Sequence, residues 1–355
     1  MEHLECLGNR VMQEDIEEIV AGGLSIDQLK GKTVLITGAT GLIGSQLVYL
    51  LACYNRKSEA DIRILAFVRN REKGEKLFGH LQARQGVSIC VGDINEKLTL
   101  QEPIDYIVHA ASATSSRYFV SHPVETIQTA LNGTRNVLEL AKENHVEGMV
   151  YLSSLEVYGV PEKENGLITE NDYGFIDPLS VRSSYSESKR MAECLCVSYA
   201  QEYGVPVKIA RLSQTFGAGV EYEDGRVFAE FARCALEKRD IVLHTKGNTV
   251  RSYCYTKDAI SAILHILLYG ASAQAYNVTN MDTAVSIKEM AELVSKTIGE
   301  SKIKVVIDIP EDVDSFGYNP EMVIRLDSSK LKALGWNATV GLAEMYQRMC
   351  GGFVR

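Results

Sequence analysis

The chain has 355 residues, 46% of them hydrophobic and 23% charged, with a formal net charge of -9. That length accommodates about two domains with a substantial core, and the composition excludes a disordered or fibrous chain. The acidic balance opposes a broad cationic surface, so no nucleic-acid or membrane partner is expected and any phosphate recognition has to be local.

The N-terminal stretch "MEHLECLGNRVMQEDIEEIV" carries acids where a signal peptide needs a cationic start, and no run reaches membrane-spanning length. Cys6, Cys53, Cys90, Cys194, Cys196, Cys234, Cys254 and Cys350 are scattered, without CxxC or Cys/His pairing. They read as reduced thiols of a cytoplasmic protein. The seven histidines form no HxxxH pattern, so no metal is expected. Residues 1–30 form an N-terminal extension whose "VMQEDIEEIVAGG" predicts an amphipathic helix stopped by glycines and docked on the surface.

From Lys32 onward, "TVLITGA", "IRILAFV", "GVSICVGDI", "YIVHAAS", "GMVYLSS" and "PVKIARL" are Val/Ile-rich strands separated by segments long enough for crossover helices. This predicts an α/β, doubly wound parallel Rossmann sheet over 31–212, with a return at about 250–270. Residues 213–249 and 271–355 are expected to build a smaller, mostly C-terminal α/β lobe for substrate over the strand ends.

"VLITGATGLIGSQLVYLL" places Gly38, Gly41 and Gly44 between the first strand and first crossover helix. The first two permit a tight turn and close approach of the backbone to a diphosphate. The third lets helix and strand pack closely, while the helix N-terminus offers N–H donors. A carboxylate that would hold the ribose of NAD is missing after the second strand; "VRNREK" offers Arg69 instead, which favours NADP slightly over NAD. In "GDI", Asp93 is placed for the adenine amino group, and Ala110 and Ala111 of "HAAS" for the nicotinamide-side ribose.

"SSYSESKRMAE" sets Tyr185 and Lys189 one helical turn apart, on one face. A phenol of pKa about 10 needs roughly 4 kcal/mol of preferential stabilisation to ionise near neutrality. A nearby ammonium is expected to contribute part of it. Upstream, "MVYLSSLEVYG" ends a strand with Ser153, Ser154 and Glu156; a hydroxyl there can orient an alcohol for hydride transfer.

Taken together these motifs resemble the extended short-chain dehydrogenase/reductases of the nucleotide-sugar epimerase/dehydratase group, from about Lys32 to Trp336. The likeness is greatest to UDP-glucuronate decarboxylases, carried by "SSYSESKRMAE", "RLSQTFGAGVEYEDGRVFAEFARCAL" and "GNTVRSYCYTKD" in matching order. The resemblance implies Ser154, Tyr185 and Lys189 as catalytic triad. It completes the cofactor site with Thr40, Leu42 and Ile43 in the glycine loop, Ile94 beside Asp93, and Ser112 after the alanines. It also places Arg226 and Arg251 near a nucleotide diphosphate and Arg182 near the sugar. The implied chemistry passes through a 4-keto sugar, with decarboxylation favoured over reduction of a keto-sugar by NADPH or over dehydratase and epimerase activities. A dinucleotide sensor without activity is the alternative outside enzymes.

Three positions depart from the group's pattern. Where 4,6-dehydratases carry an aspartic acid the chain has Leu155, which cannot protonate a leaving hydroxide; Glu156 remains as a base or as a group acting on the C5 substituent. Ala130 stands in place of a usual asparagine, and the acid after the second strand is absent. A homodimer through sheet-flanking helices is expected, with Met191, Cys194 and Leu195 on the Tyr185 helix assigned either to that interface or to the core.

Overall fold

The computed structural model describes residues 4–22, 24, 26–82, 85–113, 115–161, 166–310 and 321–353. Its strands are β1 Thr33–Thr37, β2 Arg63–Val68, β3 Val87–Val91, β4 Tyr106–His109, β5 Gly148–Ser154, β6 Leu167–Ile168, β7 Val207–Leu212, β8 Gln214–Phe216, β9 Ile241–Leu243, β10 Val250–Tyr255, β11 Ala275–Val278, β12 Asn280–Ser286, β13 Val305–Ile307 and β14 Val323–Leu326. The helices are α1 Arg10–Ala21, α2 Leu42–Ser58, α3 Arg71–Phe78, α4 Ser116–Ser121, α5 Pro123–Glu143, α6 Ser183–Tyr203, α7 Val227–Leu236, α8 Thr256–Tyr269, α9 Ile287–Thr297, α10 Ser329–Lys332 and α11 Leu342–Gly351.

Seven strands form one parallel sheet in the order β3-β2-β1-β4-β5-β7-β11. Strand β1 is buried along its whole length, as a central strand covered on both faces has to be. Chain order reverses between β1 and β4, and that reversal opens a crevice at the C-terminal ends of the strands. The glycine loop after β1, the alanines after β4 and Ser154 at the end of β5 all lie on this edge.

Over it sits a smaller assembly in which β10 pairs antiparallel with β12 and parallel with β8 and β14, while β14 continues to β6. Its core gathers Phe216, Phe228, Tyr253, Met290 and Tyr346. The return to the first sheet differs from the expected 250–270. Strand β10 belongs to the smaller sheet, whereas α8 packs on β5 and β7, and β11 adds the seventh strand. Four residues with a polar Asn277 in the middle carry no strand pattern. Burial is tolerated because the Asn277 amide donates to Ile168 and Asp327 carbonyls and accepts from Tyr158.

The extension forms α1 as expected, capped by the Asn9 side chain accepting from Met12 N–H and stopped at Gly22. Its buried face of Ile16 and Ile19 packs against α2 and α8. Asp15, fully buried, accepts from the Tyr255 hydroxyl at 2.6 Å and from Arg348 of α11 at 2.6 Å. The helix thereby straps the two layers together. No helix of the described residues is long and apolar enough to cross a membrane.

Candidate active site

Strand β5 delivers Ser154 to the crevice, where its Oγ accepts from Glu156 N–H at 3.2 Å and starts a short 3-10 turn, Leu155–Tyr158. Helix α6 brings Tyr185 and Lys189 to the same place. The Tyr185 hydroxyl lies near enough to Ser154 for the serine to act on its proton affinity, and its ring stacks on Phe119 of α4 at 4.2 Å between centroids, 8° from parallel. Lys189 is 2% exposed; its Nζ donates to the Leu152 carbonyl at 2.8 Å and stands 5.8 Å from the Tyr185 ring centroid. Tyr185, Lys189 and Ser154 are thus gathered as the sequence suggested.

Their electrostatics differ from that expectation. Burial pushes Tyr185 up to about 12, with the nearby Ser154 hydroxyl acting the other way. Burial likewise brings Lys189 down to about 8, opposed by the Glu193 carboxylate. Desolvation favours the neutral form of each group and is the largest influence on both. His109 beside them is brought down to about 3 by burial and by the Lys189 charge, so its ring is neutral. It bridges the Thr37 hydroxyl at 2.7 Å and the Thr134 hydroxyl at 3.2 Å.

Beyond Ser154, Glu156 lies 3.7 Å from the Arg182 guanidinium and accepts from the Ser186 hydroxyl at 3.4 Å. Arg251 is 7% exposed and donates to two backbone carbonyls, Val250 at 3.1 Å and Met322 at 3.5 Å. Burial lowers its proton affinity, and the charge of Glu156 raises it. Arg182 has one buried guanidinium nitrogen without a partner. Two guanidiniums facing one carboxylate leave a surplus of positive charge suited to an anionic substrate group. Arg226 is placed differently: it makes a two-pronged pair with Asp224, at 3.0 and 2.6 Å, and lies over the Phe228 ring. Leu155 is 2% exposed in an apolar cluster with Ile168, Ile324 and Leu326, so this position offers no proton donor.

The glycine loop has the shape a dinucleotide needs. Gly38 has φ +65, and a Cβ on it would sit 2.7 Å from Ala111 Cα, which brings the β1 and β4 loops together. A Cβ on Gly44 would meet the Gly38 carbonyl at 2.3 Å, so only glycine lets α2 pack there. Gly41 caps α2 without a side chain, leaving the first-turn N–H groups, from Leu42, Ile43 and Gly44, uncapped by any side chain. Thr40 lies in the same turn. Ala111 N–H donates to Thr37 Oγ1 at 3.3 Å, and Ser112 donates to the Ala113 carbonyl. Arg69 is exposed and has no ion-pair partner among the described residues. Asp93 accepts from Asn95 N–H and Nδ2 in an Asx turn, and Ile94 is buried against Gly133.

Phe119 was not legible as a site residue, because nothing in its local pattern announces a ring stacked on the tyrosine. Among the described residues, Glu5, Glu17 and Cys53 lie close enough to hold a metal ion, but Arg56 occupies their centre, donating to both carboxylates and to the sulfur.

The profile of the NAD dependent epimerase/dehydratase family matches residues 34–279. The chain is 33% identical over 314 residues to UDP-glucuronic acid decarboxylase 6 of Arabidopsis thaliana, covering 88% of this chain and 85% of that protein. It is 34% identical over 317 residues to UDP-glucuronic acid decarboxylase 3 of the same plant, covering 88% and 86%. The fold is shared with UDP-glucuronic acid 4-epimerase from Bacillus cereus, solved with UDP-glucuronic acid and NAD, at a TM-score of 0.72, 20% identity, 90% coverage of this chain and 98% of that one. The nicotinamide dinucleotide expected from the glycine loop is therefore supported, with NAD the form in the family's description; the lean towards NADP rests on Arg69 and on the carboxylate missing after β2. The chain belongs to the NAD-dependent epimerase/dehydratase family.

Proposed function

We propose that this NAD-dependent, nucleotide-sugar-modifying enzyme decarboxylates a nucleoside-diphosphate uronic acid. The observation that carries the reading is Glu156, set between the Tyr185–Ser154 pair and the guanidiniums of Arg182 and Arg251. Bound NAD supplies acceptance and return of a hydride at C4. Ser154 orients the C4 hydroxyl and Tyr185 takes its proton. The resulting ketone is β to the C5 carboxylate, so the C5–C6 bond breaks with its electron pair passing into the C4 carbonyl. Carbon dioxide leaves, C5 takes a proton, and hydride returned to C4 restores the alcohol as Tyr185 gives back its proton. No NADH is consumed overall. Arg182 and Arg251 hold the anionic substituents, Glu156 acts beside C5, and Leu155 disfavours loss of hydroxide.

Lys189 holds the nicotinamide-side ribose, together with Ala110, Ala111 and Ser112. Arg226 reaches a diphosphate by exchanging Asp224 for it, and Asp93 and Ile94 border the adenine. A homodimer forms through α5 and α6, whose exposed Val124, Ile127, Met191 and Val197 line an apolar face. A cytoplasmic setting suits the eight free cysteines.

The test is purified protein with UDP-glucuronate and catalytic NAD. Release of CO₂ and a UDP-pentose without net NADH is expected. Absence of turnover across UDP, CDP, dTDP and GDP sugars with either cofactor sinks the reading, and stoichiometric NADPH loss on a keto-sugar replaces it with a reductase.

A further inference from the structure

The α6 face that carries Tyr185 and Lys189 continues at the same four-residue interval to Glu193, which has no part in the chemistry above. Glu193 is 6% exposed, and two strands grip its carboxylate. Ser153 at the end of β5 donates to Oε1 at 2.5 Å. Arg211 of β7 donates through Nε to Oε1 at 3.0 Å and through Nη2 to Oε2 at 2.6 Å. Arg211, 1% exposed, is itself fixed by the Tyr158 hydroxyl, the Glu170 carbonyl and the Tyr173 hydroxyl. The carboxylate therefore has one seat, shared between the helix that bears Lys189 and the strand that bears Ser154.

The surroundings of Lys189 supply few other charges. Strand β5 presents Tyr151 and the Leu152 carbonyl, β4 presents His109, and α6 presents Tyr185, Glu193 and Cys196. Burial keeps Tyr151, Tyr185 and Cys196 protonated and His109 unprotonated near neutrality, so these four are neutral. Of the groups acting on the ammonium, Glu193 is the carboxylate, paired on its other side with Arg211 at 2.6 Å.

We propose that Glu193 is a positioning residue: held by Ser153 and Arg211 one turn beyond Lys189 on the same buried face of α6, its carboxylate keeps the Lys189 ammonium charged beside Tyr185. A buried acid is retained here because it stabilises a buried cation that the reaction needs, which apolar packing could not do. This rests on Tyr185 and Lys189 being the proton-handling pair, so the test reads Lys189 directly and needs no substrate.

Protein is labelled with carbon-13 at lysine Cε, the Lys189 resonance is assigned by its loss in Lys189→Met, and its midpoint is followed with pH. Glu193→Gln should lower the midpoint by about one pH unit. Glu193→Asp, which keeps the charge, should stay close to the unaltered chain. Where Glu193→Gln leaves Arg211 unpaired and prevents folding, the double variant Glu193→Gln/Arg211→Met removes both buried charges and should show a smaller fall in the same direction. A midpoint unmoved in the folded glutamine variant, or in the double variant, overturns the proposal, even if the melting temperature drops. A lowered midpoint in protein that turns over no nucleotide sugar upholds Glu193 while removing the proposed reaction.

Discussion

The opposed shifts of Tyr185 and Lys189 fix how the reaction should depend on pH. The reactive form, phenolate with ammonium, holds one proton fewer than the resting pair of phenol and ammonium. Burial places the first loss of a proton, from Lys189, at about 8, and the phenol at about 12. The single-proton form therefore accumulates up to about pH 8 and persists above it, whichever of the two groups carries the proton at a given instant. It follows that kcat/KM should rise tenfold per pH unit on the acid side, about 50-fold between pH 6 and pH 8, and then level rather than form a bell. The assay is initial CO₂ release at substrate far below KM, in buffers of constant ionic strength. Tyr185→Phe should lose about 100-fold or more of the rate at every pH while NAD binding is kept, because the ring stacked on Phe119 remains. A flat profile from pH 6 to 8 in the unaltered enzyme would refute the assignment of this pair.

Other perturbations separate the parts of the site. Gly44→Ala drives a Cβ to 2.3 Å from a rigid carbonyl and should cost about 2–3 kcal/mol of stability along with most NAD affinity; thermal melts and NAD titration together check it, and an unchanged melt would contradict the packing argument. Arg251→Gln should raise KM for the nucleotide sugar about 10–100-fold with the Kd of NAD unmoved; a weakened NAD complex would move Arg251 out of the substrate site. Glu156→Gln should stop CO₂ release while substrate-dependent NADH absorbance still appears, and loss of both signals would assign Glu156 to C4 oxidation. Asp15, pushed up to about 6 mainly by burial against the pull of Tyr255 and Arg348, binds its proton more tightly folded than unfolded. Its contribution is present below about pH 4 and lost as pH rises through about 6, roughly 3 kcal/mol. Urea denaturation should show this fall in the unaltered chain and a smaller one in Asp15→Asn; equal falls would discount it.

The doubly wound sheet was readable because six of its strands are Val/Ile-rich runs bounded by glycine or long amphipathic segments, and periodicity reports burial on two faces. β11 was not, since its strand character depends on β7 alongside it and on distant partners for the Asn277 amide. In the site, fixed spacing revealed Gly38, Gly44, Tyr185 and Lys189, because one loop or one helix turn sets their geometry. Arg182 and Arg251 are far apart in the chain and meet at Glu156 only through the second sheet; a family resemblance suggested them where residue spacing had nothing to offer. Arg226 carried the same suggestion, yet its neighbour Asp224, two residues away, already satisfies it. Glu193 could have been found by extending the Tyr185 helix face one further turn, but a glutamate there reads as surface until the Ser153 and Arg211 partners are seen.

Burial, more than the lysine charge, governs the resting tyrosine, and this changes what the site has to accomplish. Bringing a phenol from about 12 to neutrality requires roughly 7 kcal/mol of preferential stabilisation of the phenolate, well above what the free phenol would need. An ammonium 5.8 Å from the ring centroid, itself weakened by burial, does not provide it in the resting pair. The same low dielectric that raises the cost also magnifies any positive charge that develops nearby, so charge that appears only as the sugar hydroxyl is oxidised acts more strongly here than in water. The phenolate–ammonium form is then reached from the single-proton pair as the hydride leaves, and at rest the phenol keeps its proton. For an enzyme whose keto-sugar has to stay bound until the hydride returns, that coupling keeps proton removal and oxidation in step, with Ser154 and the Glu193-held lysine fixing where both occur.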